Sequence, residues 1–124
     1  MKIEHFALNV PDPRAMAGWY VAHLGMKIVS AGPEPAYIHF LADEAGAMIE
    51  LYDNWADSYF DLQGTGTATF HLAFSVTDME GERQRLIAAG ATAVGEVKTT
   101  PKGDRLAFLR DPFGLTLQLA MRAS

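Results

Sequence analysis

Two short segments of this chain repeat one order of residue types. HFALNVPD (residues 5–12) and HLAFSVTD (residues 71–78) both read His, apolar, Ala, apolar, polar, Val, any residue, Asp, and the second copy is offset from the first by 66 positions. The alternation within each copy is typical of a β-strand with one buried face. Each copy is followed by a helix-like segment that ends at a glycine, Gly25 or Gly90. The repeat therefore predicts two halves with related folds.

Each half is predicted to run strand, helix, strand, strand, strand. The helices are expected over residues 13–24 and about 79–89, with Asp12 and Asp78 as N-caps. Further strands are expected over AYIHFLA (36–42), AMIELYD (47–53), ATAVGEV (91–97) and DRLAFLR (104–110), and a tight DPFG turn (111–114) leads into the last strand. This order predicts an α+β fold. Module 1 spans about residues 1–54, a linker about 55–67 and module 2 about 68–124.

Strand parity separates an apolar face from a second, mixed face. In the first strand of each half the apolar face carries residues such as Leu8, and the histidine points the other way. In the closing strands, Glu50 and Gln118 oppose the Ile and Leu side chains that the helices should cover. His5, Glu50, His71 and Gln118 thus occupy equivalent positions of two related sheets. If the halves pair about a pseudo-twofold axis, these four side chains converge in one concave site.

Composition excludes several classes of function. The net charge of −5 and the scattered Lys and Arg give no basis for binding nucleic acid or an anionic membrane. The chain has no cysteine, so disulfide and thiol chemistry are excluded. No apolar run approaches the roughly 20 residues that span a bilayer, and the N-terminus starts a strand rather than a signal peptide. A cytoplasmic protein is expected.

Five motifs in order resemble the glyoxalase / bleomycin-resistance / extradiol dioxygenase (vicinal oxygen chelate) superfamily. They are HFALNVPD, WYVAHLGMKIV, IELYDNW, HLAFSVTD and FLRDPFGLTLQL, and they cover essentially the whole chain. The resemblance implies two βαβββ modules forming a cupped mixed β-sheet with helices on the outside. It also implies a divalent metal in the cup, with His5, Glu50, His71 and Gln118 at the ligand positions. A homodimer is implied too, with modules paired either within one chain or by exchange between chains.

The bacterial lactoylglutathione lyase branch is the most similar in its motifs, but two positions depart from it. That branch has glutamate, its usual catalytic base, where this chain has Gln118, and an arginine for the glutathione carboxylate where this chain has Asn9. Asn54 matches an asparagine that contacts glutathione there. Asn9 and Asn54 are therefore predicted to bind substrate, together with Tyr52 and Trp55, which follow Glu50 and suit an aromatic-lined cleft.

The four residues allow three functions. Two imidazoles and one carboxylate suit Zn, Ni, Mn, Fe or Co, and an amide oxygen is a weaker fourth ligand. A metal-dependent glyoxalase-like lyase or isomerase would have Glu50 as its only base, because the amide of Gln118 does not exchange a proton near neutral pH. The alternative is a bleomycin-resistance-like protein that sequesters a small aromatic or cationic ligand, with Tyr59 and Phe60 as further stacking residues. A non-haem iron dioxygenase is the third.

For several other residues, positions outside the candidate site are also considered. His23 should favour the C-terminal end of the first helix, and Trp19 and Tyr20 should lie in the core. His39 either lines the cup or is exposed. Lys98, Lys102 and Arg105 are expected in a polar loop, either solvated or contacting a substrate anion.

Overall fold

The first half of the chain forms one mixed four-stranded sheet and one helix. Its elements are β1 (His5–Asn9), α1 (Pro13–Leu24), β2 (Lys27–Ala31), β3 (His39–Ala42) and β4 (Met48–Tyr52). The strand order is β1-β4-β3-β2, in which β1 and β4 are parallel and the other pairs are antiparallel. The structure, a computed structural model, describes all 124 residues.

The second half repeats this topology. Its elements are β5 (Leu72–Ser75), α2 (Met79–Ala88), β6 (Thr92–Thr99), β7 (Arg105–Arg110) and β8 (Thr116–Met121). The strand order is β5-β8-β7-β6, and again only the first pair is parallel. The α+β class with two βαβββ modules, predicted from the internal repeat, is therefore confirmed.

Both helices begin at the predicted caps. The Asp12 side chain accepts a hydrogen bond from the Ala15 backbone N–H (3.1 Å), and the Asp78 side chain accepts one from the Gly81 N–H (3.1 Å). The first helix has the predicted bounds and is followed by Gly25 with φ = 69°. The second ends at residue 88, one residue earlier than predicted, and Gly90 takes the positive φ of 111° beyond its end.

Each half buries the sheet face that parity assigned to the core. Helix α1 packs on β3 and β4, and α2 packs on β7 and β8. Tyr20 is fully buried, as predicted, whereas Trp19 is half-buried. The large apolar strand residues that are buried are Leu8, Leu41, Ile49 and Leu51 in the first half and Leu109, Leu117 and Leu119 in the second. The apolar periodicity therefore assigned the covered face correctly.

The third strand is shorter than predicted. It starts at His39, although AYIHFLA suggested a start at residue 36. The Tyr37 backbone N–H donates to the Pro33 carbonyl (3.1 Å), and Tyr37 has a left-handed φ of 48°. A turn with that backbone conformation cannot continue a β-strand, so residues 36–38 lie outside the sheet.

Residues 53–71 contain no helix or strand. The chain divides into two compact units, Met1–Phe60 and Asp61–Ser124, and the division falls inside the stretch predicted as a linker. The assignment of the whole chain to one domain stays a prediction. Neither helix is long and apolar enough to cross a membrane.

Candidate metal and substrate site

In the first half, the strand register brings a histidine and a carboxylate together. Glu50 on β4 lies opposite Ala7 on the parallel strand β1, and His5 is two residues before Ala7 on the same face. The His5 Nε2 atom lies 3.4 Å from the Glu50 Oε1 atom. Both side chains are partly accessible, His5 at 34% and Glu50 at 18% exposure. The pair predicted from the sequence is thus in place within this unit.

The second nitrogen of the His5 ring is also engaged. His5 Nδ1 contacts the carboxylate of Glu4. When Nδ1–H donates to an oxygen, the Nε2 atom carries the lone pair that a metal ion requires. The Glu4 contact therefore orients the ring and leaves Nε2 beside Glu50 as a possible ligand.

The second half repeats this arrangement with one change of residue type. Gln118 on β8 lies opposite Ala73 on β5, two residues after His71. His71 Nδ1 lies 2.8 Å from the Thr67 carbonyl oxygen, to which it donates in the tautomer with its lone pair on Nε2. The backbone positions of Glu50 and Gln118 are therefore equivalent, as the repeat predicted.

Each histidine ring also rests on a phenylalanine in the same way. His5 meets Phe40 edge-on with ring centroids 5.3 Å apart, and His71 meets Phe108 edge-on at 5.1 Å. Phe40 is the cross-strand neighbour of Glu50, and Phe108 is that of Gln118. Two independent halves thus hold the same histidine orientation, which a pair of unrelated surface histidines would not share.

The donor atoms of the first half suit a metal ion. Two ligands of a tetrahedral ion with bonds of about 2.1 Å lie about 3.4 Å apart, which matches the His5–Glu50 separation. The structure contains no group of three or more His, Cys, Asp or Glu side chains arranged to hold a metal. His5 and Glu50 belong to one unit, and His71 and Gln118 belong to the other. A site composed of all four residues stays a prediction.

An open groove of about 470 Å³ lies beside Glu50 in the first unit. It is lined by Ala36, Ile38, Glu50, Tyr52 and Asn54. This volume is within the roughly 300–1,000 Å³ of small-molecule sites. Glu50, Tyr52 and Asn54 were predicted site residues. Ala36 and Ile38 were assigned to a strand by the sequence and were missed, because their position depends on the turn at Tyr37.

Asn9 fixes the backbone next to this groove. Its Oδ1 accepts from the Asn54 backbone N–H (2.7 Å), and its Nδ2 donates to the carbonyls of Asn54 (2.9 Å) and Ser58 (3.2 Å). The amide of Asn9 is thus committed to three backbone groups. Asn9 is the last residue of β1, and Asn54 follows the end of the parallel strand β4. A predicted parallel pairing of these two strands would have placed the two asparagines close together.

The aromatic residues after Asn54 lie on the surface. Trp55 is 62% exposed and Phe60 is 55% exposed, and neither lines the groove. The Tyr59 hydroxyl donates to Asp53 (2.5 Å), and this hydrogen bond to a carboxylate raises the pKa of Tyr59. A role of Trp55 in binding a substrate stays a prediction.

The structure also places the remaining candidates. His39 is buried on the core face beside Leu41, and its Nδ1 lies 2.6 Å from the Tyr37 carbonyl oxygen. The expectation that it lines the cup or is exposed was therefore wrong, because its strand position points to the face covered by helix α1. The expectation of a polar loop was wrong for Lys98, which lies on β6, and for Arg105, which lies on β7 and forms an ion pair with Glu80. His23 is in the last turn of α1, as predicted.

The chain is similar to proteins of one superfamily. The family model described as the Glyoxalase/Bleomycin resistance protein/Dioxygenase superfamily matches residues 2–119. A probable lactoylglutathione lyase of Vibrio parahaemolyticus is 32% identical over 125 residues, covering 95% of this chain and 88% of that protein. The lactoylglutathione lyase of Salmonella typhimurium is 29% identical over 126 residues, covering 96% and 91%.

A solved structure has a similar fold. It is a glyoxalase/bleomycin resistance protein/dioxygenase family enzyme from Burkholderia phytofirmans, with a TM-score of 0.77 and 21% sequence identity. The similarity covers 99% of this chain and 100% of that one. At this identity the match describes the fold of the chain.

Proposed function

Because the chain belongs to the Glyoxalase/Bleomycin resistance protein/Dioxygenase superfamily, we propose that it is a metal-dependent glyoxalase-like enzyme of the lyase or isomerase type. Its substrate would be a small molecule with two adjacent oxygen atoms. The observation that carries the proposal is the His5–Glu50 pair at 3.4 Å, together with the equivalent placement of His71 and Gln118. The similarity to lactoylglutathione lyases supports the same class of reaction.

His5, Glu50, His71 and Gln118 are the proposed ligands of one divalent ion such as Zn, Ni, Mn or Fe. Such an ion would polarise a substrate carbonyl when bound. Gln118 contributes a neutral oxygen, so the set carries one negative charge, that of Glu50. The Nδ1 contacts of His5 and His71 keep each ring in the orientation and tautomer that binding needs.

Glu50 is the proposed general base, because it is the only carboxylate of the set. It lies at the groove, where it can take a proton from one substrate carbon and return it to the adjacent carbon, provided that it leaves the metal or binds it loosely. Tyr52 and Asn54 would contact the substrate directly. Asn9 would act through Asn54, whose backbone it holds, and Trp55 would cover the ligand from outside the groove.

Metal reconstitution tests the proposal. Protein stripped with a chelator and reloaded with Ni, Zn, Mn or Fe(II) should bind one equivalent per site, and a His5→Ala/His71→Ala variant should bind none. Formation of S-lactoylglutathione from methylglyoxal and glutathione is then measured, with Gln118→Glu as the variant that supplies a second carboxylate. A wild-type protein that never retains stoichiometric metal would refute the proposal.

A second candidate function is metal-free sequestration of an aromatic or cationic ligand. It is favoured by the neutral amide of Gln118 and by the exposed Trp55, Tyr59 and Phe60, which follow the groove residue Asn54 in the chain. Ligand quenching of Trp55 fluorescence that persists in chelator and in the double histidine variant would support it. Oxygen uptake with catechols under Fe(II) would instead indicate a dioxygenase, because isomerisation consumes no oxygen.

We also propose a homodimer, in which the modules pair either within a chain or by exchange between two chains. Sedimentation at several protein concentrations measures the assembly. A monomer at all concentrations would contradict this part of the proposal.

A further inference from the structure

The second unit contains a buried hydroxyl group that has no hydrogen-bond partner. Thr116 is 2% exposed, and its Oγ1 atom is one of two buried side-chain polar atoms that are left unpaired in the structure. A buried hydroxyl without a partner is costly, and native proteins contain few of them. Such a group calls for an explanation, and a role at a binding site is one of those known.

Thr116 lies next to two of the proposed metal ligands. Side chains two residues apart on a strand point to the same side, so Thr116 shares its face of β8 with Gln118. Arg110 is the cross-strand neighbour of Thr116 on β7. On the other side, the parallel register with β5 brings His71 next to it. The hydroxyl is therefore surrounded by three polar side chains.

Two of these three neighbours are already committed to other groups. The Arg110 guanidinium donates to three backbone carbonyls. The His71 Nδ1 atom lies 2.8 Å from the Thr67 carbonyl oxygen, and its Nε2 atom is the proposed ligand atom. The Gln118 side chain is partly accessible and makes no hydrogen bond within its unit. The Thr116 hydroxyl and the Gln118 amide are thus adjacent and both uncommitted.

A glutamine ligand needs an orienting partner that a glutamate ligand does not need. The two oxygens of a carboxylate are equivalent, whereas an amide must turn its oxygen toward a cation and its NH₂ group away from it. A hydroxyl oxygen can accept a hydrogen bond from that NH₂ group. Same-face neighbours along a strand are roughly 7 Å apart, which a glutamine side chain and a hydroxyl can span.

The two halves differ in the way that this requirement predicts. In the first unit, Met48 pairs with His5 and lies two residues before Glu50, so it corresponds to Thr116. A methionine thioether is only a weak acceptor. The hydroxyl therefore occurs in the half that has the amide, and the half that has the carboxylate lacks it.

We infer that Thr116 is a positioning residue for Gln118, an inference that rests on the proposed function. The Thr116 hydroxyl accepts a hydrogen bond from the Gln118 Nε2 group and so directs the Gln118 Oε1 atom toward the metal. The bond forms when the Gln118 side chain turns its oxygen to the ion. Thr116 itself does not touch the metal or the substrate.

Zinc affinity in matched variants tests the inference. The dissociation constant is measured by competition with a chromogenic chelator. Thr116→Val removes the acceptor with little change of shape, and it should weaken zinc binding at least about tenfold, as loss of an outer partner of a metal ligand does. Thr116→Ser keeps the hydroxyl, and Thr99→Val changes an exposed threonine of β6. Both should stay within about threefold of the wild type. A similarly small effect of Thr116→Val would overturn the inference.

A double-mutant cycle separates positioning from a general loss of structure. In a Gln118→Ala background, Thr116→Val should change zinc affinity less than about twofold, because the amide through which the hydroxyl acts has been removed. Chelator-treated Thr116→Val should unfold at no lower denaturant concentration than the wild type, so weaker zinc binding would not result from misfolding. An equal effect of Thr116→Val with and without the Gln118 amide would contradict the assignment.

The readouts distinguish this inference from the proposed function. Turnover of methylglyoxal with glutathione tests the function, whereas zinc affinity tests the inference. Stoichiometric zinc binding that does not respond to Thr116→Val refutes the inference and leaves the proposed function standing. Zinc binding that depends on Thr116 in a protein without turnover supports the inference and contradicts the enzyme. A wild-type protein that never retains zinc or another divalent metal overturns both.

Discussion

Removal of the Asn9 side chain should release the segment that follows β4. Three hydrogen bonds connect this amide to the backbone: one from the Asn54 N–H (2.7 Å) and two to the carbonyls of Asn54 (2.9 Å) and Ser58 (3.2 Å). The Asn54 carbonyl also receives the Asp57 N–H (3.1 Å), but the Asn54 N–H depends on Asn9. In Asn9→Ala, that N–H loses its acceptor.

The magnitude follows from the number and the setting of these bonds. A net hydrogen bond is worth about 0.5–1.5 kcal/mol, and these three lie near solvent, so the lower half of that range applies. Together they stabilise the closed segment by about 2 kcal/mol. Because 1.4 kcal/mol corresponds to a factor of ten, amide exchange at Asn54 should accelerate about 30-fold.

Hydrogen–deuterium exchange measures this opening directly. The acceleration in Asn9→Ala should be confined to residues 53–60 and absent from β1 and β4, and groove ligands should bind more weakly. Asn9→Asp keeps the acceptor for the Asn54 N–H but turns an oxygen toward two carbonyls, so it should also be open. Tyr59→Phe removes the separate bond to Asp53 and should leave the Asn54 amide protected. Exchange at Asn54 within twofold of wild type in Asn9→Ala would refute this account.

Three further perturbations follow from single contacts. Thr116→Val should raise the free energy of unfolding by about 1 kcal/mol in denaturant titration, because the Thr116 hydroxyl is buried without a partner; a lower midpoint would contradict this. Arg110→Met should cost about 3 kcal/mol, since its guanidinium bonds three backbone carbonyls at 2.7–2.9 Å; a loss below 1 kcal/mol would be inconsistent with that. Asp53→Asn should lower the pKa of Tyr59 toward its usual value in an absorbance titration. In the wild type, the hydrogen bond from Tyr59 to Asp53 stabilises the folded protein at pH values below the usual tyrosine pKa. This contribution is lost as the pH rises through the raised pKa of Tyr59.

The parts of the fold that depend on local pattern were predictable. The alternation around residues 5–12 and 71–78 assigned the buried face, and Asp12 and Asp78 marked both helix starts because an N-cap depends on residues three positions away. The repeat then placed Glu50 and Gln118 at equivalent positions, and the strand registers confirm this. Register is strongly determined where one face of a strand must be buried.

The features that the sequence did not reveal depend on contacts distant along the chain. Asn9 reads as a polar residue on an open strand face, and only the parallel pairing of β1 with β4 brings it to residues 54 and 58. The pairing of Arg105 with Glu80 likewise joins residues 25 positions apart. Tyr37 has the backbone of a turn although its neighbours favour a strand. At Asn9 and Arg105 tertiary contacts override local preference, whereas the turn at Tyr37 is local and closes with the Pro33 carbonyl.

The repeat also explains why the two halves need not share the chemistry equally. Their backbones place a histidine and a polar residue in the same register, and both histidines rest edge-on against a phenylalanine. Their charges nevertheless differ, because the second half has an amide where the first has Glu50, and the net charge of the chain lies in the first unit. A duplicated fold fixes positions, whereas one change of residue type leaves only the first half with a carboxylate at this position. The single carboxylate at the groove, Glu50, is therefore the residue on which the proposed catalysis depends.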